Sequence, residues 1–315
     1  MYMQKMKPIP VCNVCEGRQW NYLYETRDRM FDLPGTFSTY RCSRCGLLRL
    51  APGLSQKKLV SYYPPRQYYS YVPEGKLSPL WKFRTFLIAR RAILARILTV
   101  LIHVPAIPKF RSGGKILDIG CGTGDTLVQL KDLGWNVYGV DIDKEAVAIA
   151  KRRGLTRVRF GSYTTIRNYR DGYFDVIRLY HVIEHLDNPD LLLRLAYKKL
   201  KHGGELIIGT PNADSLISRL AGRYWYNLDS PRHLFIFSPS TLERMLTKHT
   251  FTISYLDYCS IGGIVGSIQY YLRDTLGLTK KIIYNAWIIV LFYPVERALD
   301  WLRLGDIFII HARKP

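Results

Sequence analysis

The chain has 315 residues, 48% of them hydrophobic, and its 46 Lys and Arg against 25 Asp and Glu leave a formal charge of +21. That length and apolar content exclude a chain without a packed core and suit one large catalytic domain plus a small module. The charge speaks of surface partners rather than of fold, and leaves nucleic acid, anionic lipid and acidic or phosphorylated substrates all open.

Residues 1–10 hold lysines and prolines without an apolar run, so no secretory leader is expected there and a reducing cytoplasm is. Of the six cysteines, four form two Cys-x-x-Cys pairs, Cys12/Cys15 and Cys42/Cys45. Without a secretion signal such pairs read as metal ligands, and four thiolates close a tetrahedral shell around Zn²⁺. The shell is full, so the expected role is structural. Gly17 and Gly46 follow the pairs where tight turns need them, and 22–24 and 37–40 alternate as the strands of a hairpin. The expectation is a zinc ribbon, extended by the tyrosine-rich run Tyr62-Tyr63-Pro64-Pro65-Arg66-Gln67-Tyr68-Tyr69, with this unit covering 1–78.

Residues 79–112 read as a basic amphipathic linker. Within it, 80–102 combine Trp81, Phe83 and Phe86 with Lys82, Arg84, Arg90, Arg91 and Arg96, and have no acid. Such a helix either lies at an anionic membrane surface or packs on the domain with its arginines reaching outward. Arginines interrupt every window long enough to span a bilayer.

From 113 onward strands and helices alternate. Strands are expected at 115–120, 137–141, 157–161, 174–180 and 205–209, with helices at 123–133, 144–153 and 189–201 between them. This is a doubly wound, Rossmann-like α/β sheet, whose ligands bind beyond the carboxyl ends of the strands. Two further strands are expected at 251–258 and 306–312, enclosing an insert at about 260–304. The apolar stretch 282–293 in that insert reads equally as core, as a substrate lid or as a membrane-facing patch.

The first strand runs into Asp118-Ile119-Gly120-Cys121-Gly122-Thr123-Gly124, and the second ends in Asp141. Glycines at every second position let the backbone approach a ligand closely, and a carboxylate ending the next strand accepts hydrogen bonds from a ribose. Together they describe a nucleoside-containing cofactor lying across two parallel strands. Cys121 reads as a small apolar filler. Past the fourth strand, His181-Val182-Ile183-Glu184-His185 is a dense titratable cluster, and His181 and His185 would share one face of a helix. One of them, or His233, is the candidate general base; divalent metal binding is a related option. Between 223 and 234, Tyr224, Trp225 and Tyr226 interleave with Arg, Asp and His, which reads either as a polar acceptor site with stacking surfaces or as a covering loop.

The D-x-G-x-G-x-G loop resembles motif I of the class I S-adenosylmethionine-dependent methyltransferases. The two cysteine knuckles, Cys45-Gly46-Leu47-Leu48, Pro52 and the tyrosine-rich run resemble a bacterial subgroup of that class with an amino-terminal zinc ribbon. The resemblance implies a seven-stranded sheet whose last hairpin carries one antiparallel strand. It implies S-adenosylmethionine as cofactor, with Asp118, Gly120, Gly122, Gly124, Asp141, Ile142 and Tyr180 around it and Asp141 on the ribose. The Glu184-His185 pair is similar to a segment of ubiquinone-pathway O-methyltransferases, whose pattern has an acid three residues before it; here that position is His181.

Leu179-Tyr180-His181-Val182 stands where base-modifying relatives carry an Asp/Asn-Pro-Pro-Tyr-like tetrapeptide, which argues against transfer to a base amine. The leading expectation is a methyltransferase acting on a small-molecule or lipid-linked acceptor, a saccharide hydroxyl or related metabolite. The partners expected with it are that acceptor and, through 80–102 and 280–295, a membrane surface. Steeply salt-dependent RNA affinity would favour an RNA methyltransferase instead. Cofactor binding without turnover would favour a zinc-ribbon binding module.

Overall fold

In a computed structural model, residues 9–64, 108, 111, 113–279 and 282–315 are described. The expected linker helix at 80–102 and Tyr68 and Tyr69 lie outside them.

The large sheet grows from apolar runs that are buried on both faces, as parallel strands covered by helices must be. β4 (Lys115–Ile119), β5 (Asn136–Asp141), β6 (Val158–Phe160), β7 (Phe174–Tyr180) and β8 (Leu200–Pro211) are parallel neighbours. β10 (Thr252–Tyr258) and β11 (Ile307–Arg313) complete seven strands in the order β10-β11-β8-β7-β4-β5-β6. Only β11 runs against its neighbours. The order reverses between β4 and β7, so the loops leaving those two strands part around a crevice.

Helices α2 (Asp125–Asp132), α3 (Lys144–Arg152) and α4 (Pro189–Lys199) fill the crossovers. The last two begin as their sequences dictate: Asp143 caps α3 by accepting from Glu145 N and Ala146 N, and Asn188 caps α4 ahead of Pro189. Two further helices are α5 (Leu216–Ala221) and α6 (Pro239–Lys248), the latter opened by a Ser238/Thr241 capping box. The insert between β10 and β11 holds α7 (Gly263–Leu276) and α8 (Ala286–Trp301).

The amino-terminal unit is a sheet of β1 (Trp20–Arg27), β2 (Thr36–Cys42) and β3 (Leu48–Ala51), followed by the short helix α1 (Gln56–Leu59). Its fourth strand, β9 (Phe235–Ile236), comes from the catalytic half of the chain, with Leu48 opposite Ile236 and Arg49 opposite Phe235. The ribbon is therefore joined to the domain by a shared sheet. Phe37, Leu47, Leu50, Leu54 and Tyr62 belong to the same apolar core as Ile183, Leu234 and Phe237.

A buried ion triad closes this seam. Arg232, 0% exposed, donates through Nη1 and Nη2 to Asp28 (3.1 and 2.7 Å) and through Nε and Nη2 to Asp229 (2.9 and 2.6 Å). Its Nη1 also donates to the Tyr62 carbonyl at 3.0 Å. Both carboxylates are buried, so each charge is compensated in place.

Candidate active site and cysteine cluster

The two cysteine knuckles have the same backbone. Cys12 N donates to Gly17 O and Glu16 N to Cys12 O; Cys42 N donates to Leu47 O and Gly46 N to Cys42 O. The left-handed position is Gly46 (φ 84°) in the second knuckle but Glu16 (φ 61°) in the first. Gly17 is needed for a different reason than its turn: a Cβ there would sit 3.2 Å from Cys15 Sγ. Cys12 Sγ lies 3.6 Å from Cys45 Sγ and Cys15 Sγ 3.5 Å from Cys42 Sγ, with all four sulfurs within 4.8 Å of one another. A tetrahedron of sulfurs about 2.3 Å from a central ion has edges of about 3.8 Å, so the four thiolates fit Zn²⁺.

At the crevice, Gly120, Gly122 and Gly124 take φ of 74°, 53° and 83°. A side chain at Gly120 would also strike Val182, since a Cβ there would come within 2.4 Å of its Cγ2. The loop therefore needs glycine for conformation and for close packing. Asp141, 8% exposed at the end of β5, accepts from Gly122 N at 2.7 Å and Asp143 N at 2.8 Å. Burial raises its pKa and those two amides work against the rise. Beside it Ile142 is 54% exposed, an apolar surface at the strand end that an adenine ring would cover. The carboxylate, the open loop and this apolar wall fit a nucleoside.

Two of the residues expected at the cofactor also make contacts within the protein. Asp118 stands opposite Arg178 across the β4–β7 pair, and Arg178 Nη1 donates to both its oxygens at 2.8 and 2.9 Å. Buried and paired, it braces the loop from beneath. Tyr180 lays its ring on Gly209 and reaches Cys259; its ring is edge-on to His181, 4.6 Å between centroids. It walls the His181 side of the site.

The histidine cluster does assemble, though not on a helix face. His181 has φ 55°, and only Ile183–His185 forms a single 3-10 turn. Glu184 is fully buried, with Oε2 accepting from Thr210 Oγ1 at 2.9 Å. Its Oε1 lies 3.3 Å from His181 Nδ1 and 4.0 Å from His233 Nε2. Burial pushes Glu184 up, but the His181 contact and the His185 and His233 imidazoles outweigh it and hold it at about 2. His185 Nδ1 lies 2.8 Å from Tyr63 Oη and 3.1 Å from the Arg232 carbonyl, and burial presses its pKa down to about 4. His233 is buried, with Nδ1 tied to the Asn227 carbonyl at 2.8 Å, and burial lowers its pKa as well. His181 has 30% of its side chain exposed and His185 is also partly exposed, whereas His233 is buried.

The Arg223–Leu234 stretch is tied into the fold, with Tyr224 and Tyr226 left half-buried. Trp225 is buried and donates from Nε1 to Asp306 at 3.1 Å, and Asp229, Ser230 and Arg232 are buried with it. Missed from sequence were Tyr63 and Gln56, which the amino-terminal unit brings to His185; Gln56 Nε2 donates to its carbonyl at 2.8 Å. The tyrosine-rich run was the only signal pointing to Tyr63.

The strand order, the single antiparallel strand and a nucleoside-fitting loop at the reversal point define the class I methyltransferase fold. The chain belongs to the methyltransferase-domain family, whose match runs over residues 86–256, more than half of its length. It is similar to the ubiquinone biosynthesis O-methyltransferase of Idiomarina loihiensis, 28% identical over 144 residues that make up 42% of this chain and 59% of that one. It is 34% identical to the mitochondrial ubiquinone biosynthesis O-methyltransferase of Rattus norvegicus over 122 residues, 36% of this chain and 35% of that one. The chain thus spans 59% and 35% of the length of these two relatives. Among solved structures, a SAM-dependent methyltransferase from Archaeoglobus fulgidus is similar at 24% identity and a TM-score of 0.46, over 74% of this chain and 96% of that one.

Proposed function

We propose that the protein transfers the methyl group of S-adenosylmethionine to a hydroxyl of a small-molecule or lipid-linked acceptor. Bound S-adenosylmethionine would supply an electrophilic methyl on a sulfonium. Gly120–Gly124 would carry its amino-acid half, Asp141 would accept from its ribose and Ile142 would cover its base. The observation that carries the hydroxyl reading is the His181–Glu184 pair set just past β7. The Glu184 carboxylate is anchored by Thr210 and faces Nδ1 of His181, which leaves Nε2 to take the proton of a hydroxyl as it attacks. His185 and His233 are positioning residues in this scheme, held neutral by burial around Glu184.

The similarity to O-methyltransferases supports a hydroxyl acceptor. The ribbon's resemblance to the bacterial subgroup supports a saccharide or related metabolite within that class. The test is label transfer from methyl-labelled cofactor to fractionated extract. His181→Ala is expected to lower product formation about 10²-fold or more at unchanged cofactor affinity. Full activity of that variant, or label recovered on an amine, would overturn the reading.

A further inference from the structure

Helix α8 buries three charged side chains and leaves a stripe of large apolar ones outside. In its carboxyl-terminal half the side turned inward carries charge: Glu296 accepts from Gly262 N (2.8 Å) and Ile264 N (3.1 Å), and Asp300 accepts from Ser260 N, Ser260 Oγ and Arg297 Nη1, while Ile288, Ile289, Phe292 and Leu299 are half-buried along the rest of the helix. All three charged side chains are buried. Its outward face repeats at helical spacing and is apolar: Trp287, Val290, Leu291, Val295, Trp301 and Leu302 are all exposed, Trp287 by 84% and Leu291 by 72%. A surface helix ordinarily turns its apolar stripe to the core and its charges to water. Here the hydrogen-bonded charges lock the helix in place with the apolar stripe outward, so the exposure is imposed by the fold.

We infer that this stripe docks on an anionic lipid surface. Sixteen residues make a helix about 24 Å long, too short for a hydrocarbon core of about 30 Å, and among the described residues no helix is long and apolar enough to cross a membrane. An apolar stripe of this length instead lies in the interface plane, and tryptophans at both ends are the side chains that settle at headgroup level. The exposed stripe carries no charge of its own; Arg303 follows it directly and is exposed. The chain's charge of +21 complements an anionic leaflet and would repel a second copy of itself. The inference does not rest on the methyl-transfer reading, because vesicle binding is read without any acceptor.

The test is co-sedimentation of the full, zinc-loaded chain with phosphatidylcholine vesicles with and without phosphatidylglycerol, at low and high salt. Binding is expected with the anionic vesicles, weaker in high salt, and reduced about tenfold or more by Trp287→Ser/Leu291→Ser. Both side chains point to solvent, and the single variant Leu291→Asp, checked by circular dichroism, serves if the pair misfolds. Absence of wild-type binding, or equal binding by folded variants, would overturn the inference. So would a wild-type dimer that the substitutions convert to monomer without any lipid binding, since a second copy would then cover the stripe.

Discussion

Replacing Arg232 with alanine would leave the buried Asp28 and Asp229 facing each other without their shared partner. The guanidinium makes five donor contacts to the two carboxylates at 2.6–3.1 Å and one to the Tyr62 carbonyl, all inside the seam between ribbon and catalytic sheet. Removing one partner of a buried ion pair costs about 3–5 kcal/mol, chiefly because the abandoned charges stay desolvated. Arg232→Ala should therefore lose about 3–5 kcal/mol in urea unfolding. Asp28→Asn is the graded control. It keeps an oxygen for Met30 N and Phe31 N and leaves Arg232 with Asp229, so about 1–3 kcal/mol is expected. A loss below about 1 kcal/mol for Arg232→Ala would refute the reasoning, since it would mean that the triad is hydrated and the seam loose.

Acid should weaken the fold from near neutrality. Free imidazole titrates at about 6.5, whereas His185 is held at about 4, so between these values the unfolded chain takes up a proton that the native state refuses. Stability should fall by up to about 3 kcal/mol as pH drops across that window, and His185→Gln should flatten the profile; an unchanged slope would contradict the neutral imidazole. Glu184, held at about 2, adds a second loss below the ordinary carboxylate range, as pH falls toward its folded value. Metal analysis should find one zinc per chain, and Cys42→Ser should abolish it; full retention would refute the four-thiolate site. Because β3 pairs with β9, chelation should also lower the unfolding temperature of the catalytic domain, and two independent transitions would contradict the shared sheet.

Much of this architecture was legible beforehand because it is local. The strands at 115–120, 137–141 and 174–180 are short apolar runs bounded by glycine or turn residues, and each forms within a residue of its expected ends. The cysteine knuckles are likewise contiguous motifs. What escaped is non-local. β9 is two residues long and exists because β3 lies beside it, and Asp28 and Arg232 meet across 204 positions of sequence. Nothing in the local pattern around Asp118 shows that Arg178 faces it across the sheet. The left-handed turn at His181 was hidden for the same reason, since its amide is fixed by the Gly209 carbonyl of the neighbouring strand. The outward apolar stripe of α8 is invisible to composition, because the orientation of the helix depends on where Gly262 and Ser260 present their backbone amides to Glu296 and Asp300.

The most direct test of the central claim is calorimetric titration of the zinc-loaded protein with S-adenosylhomocysteine. Saturable binding to the wild-type chain is predicted, weakened about tenfold or more by Asp141→Ala through loss of the charged acceptor for the ribose. No heat with this nucleoside, or affinity indifferent to Asp141, would contradict the account.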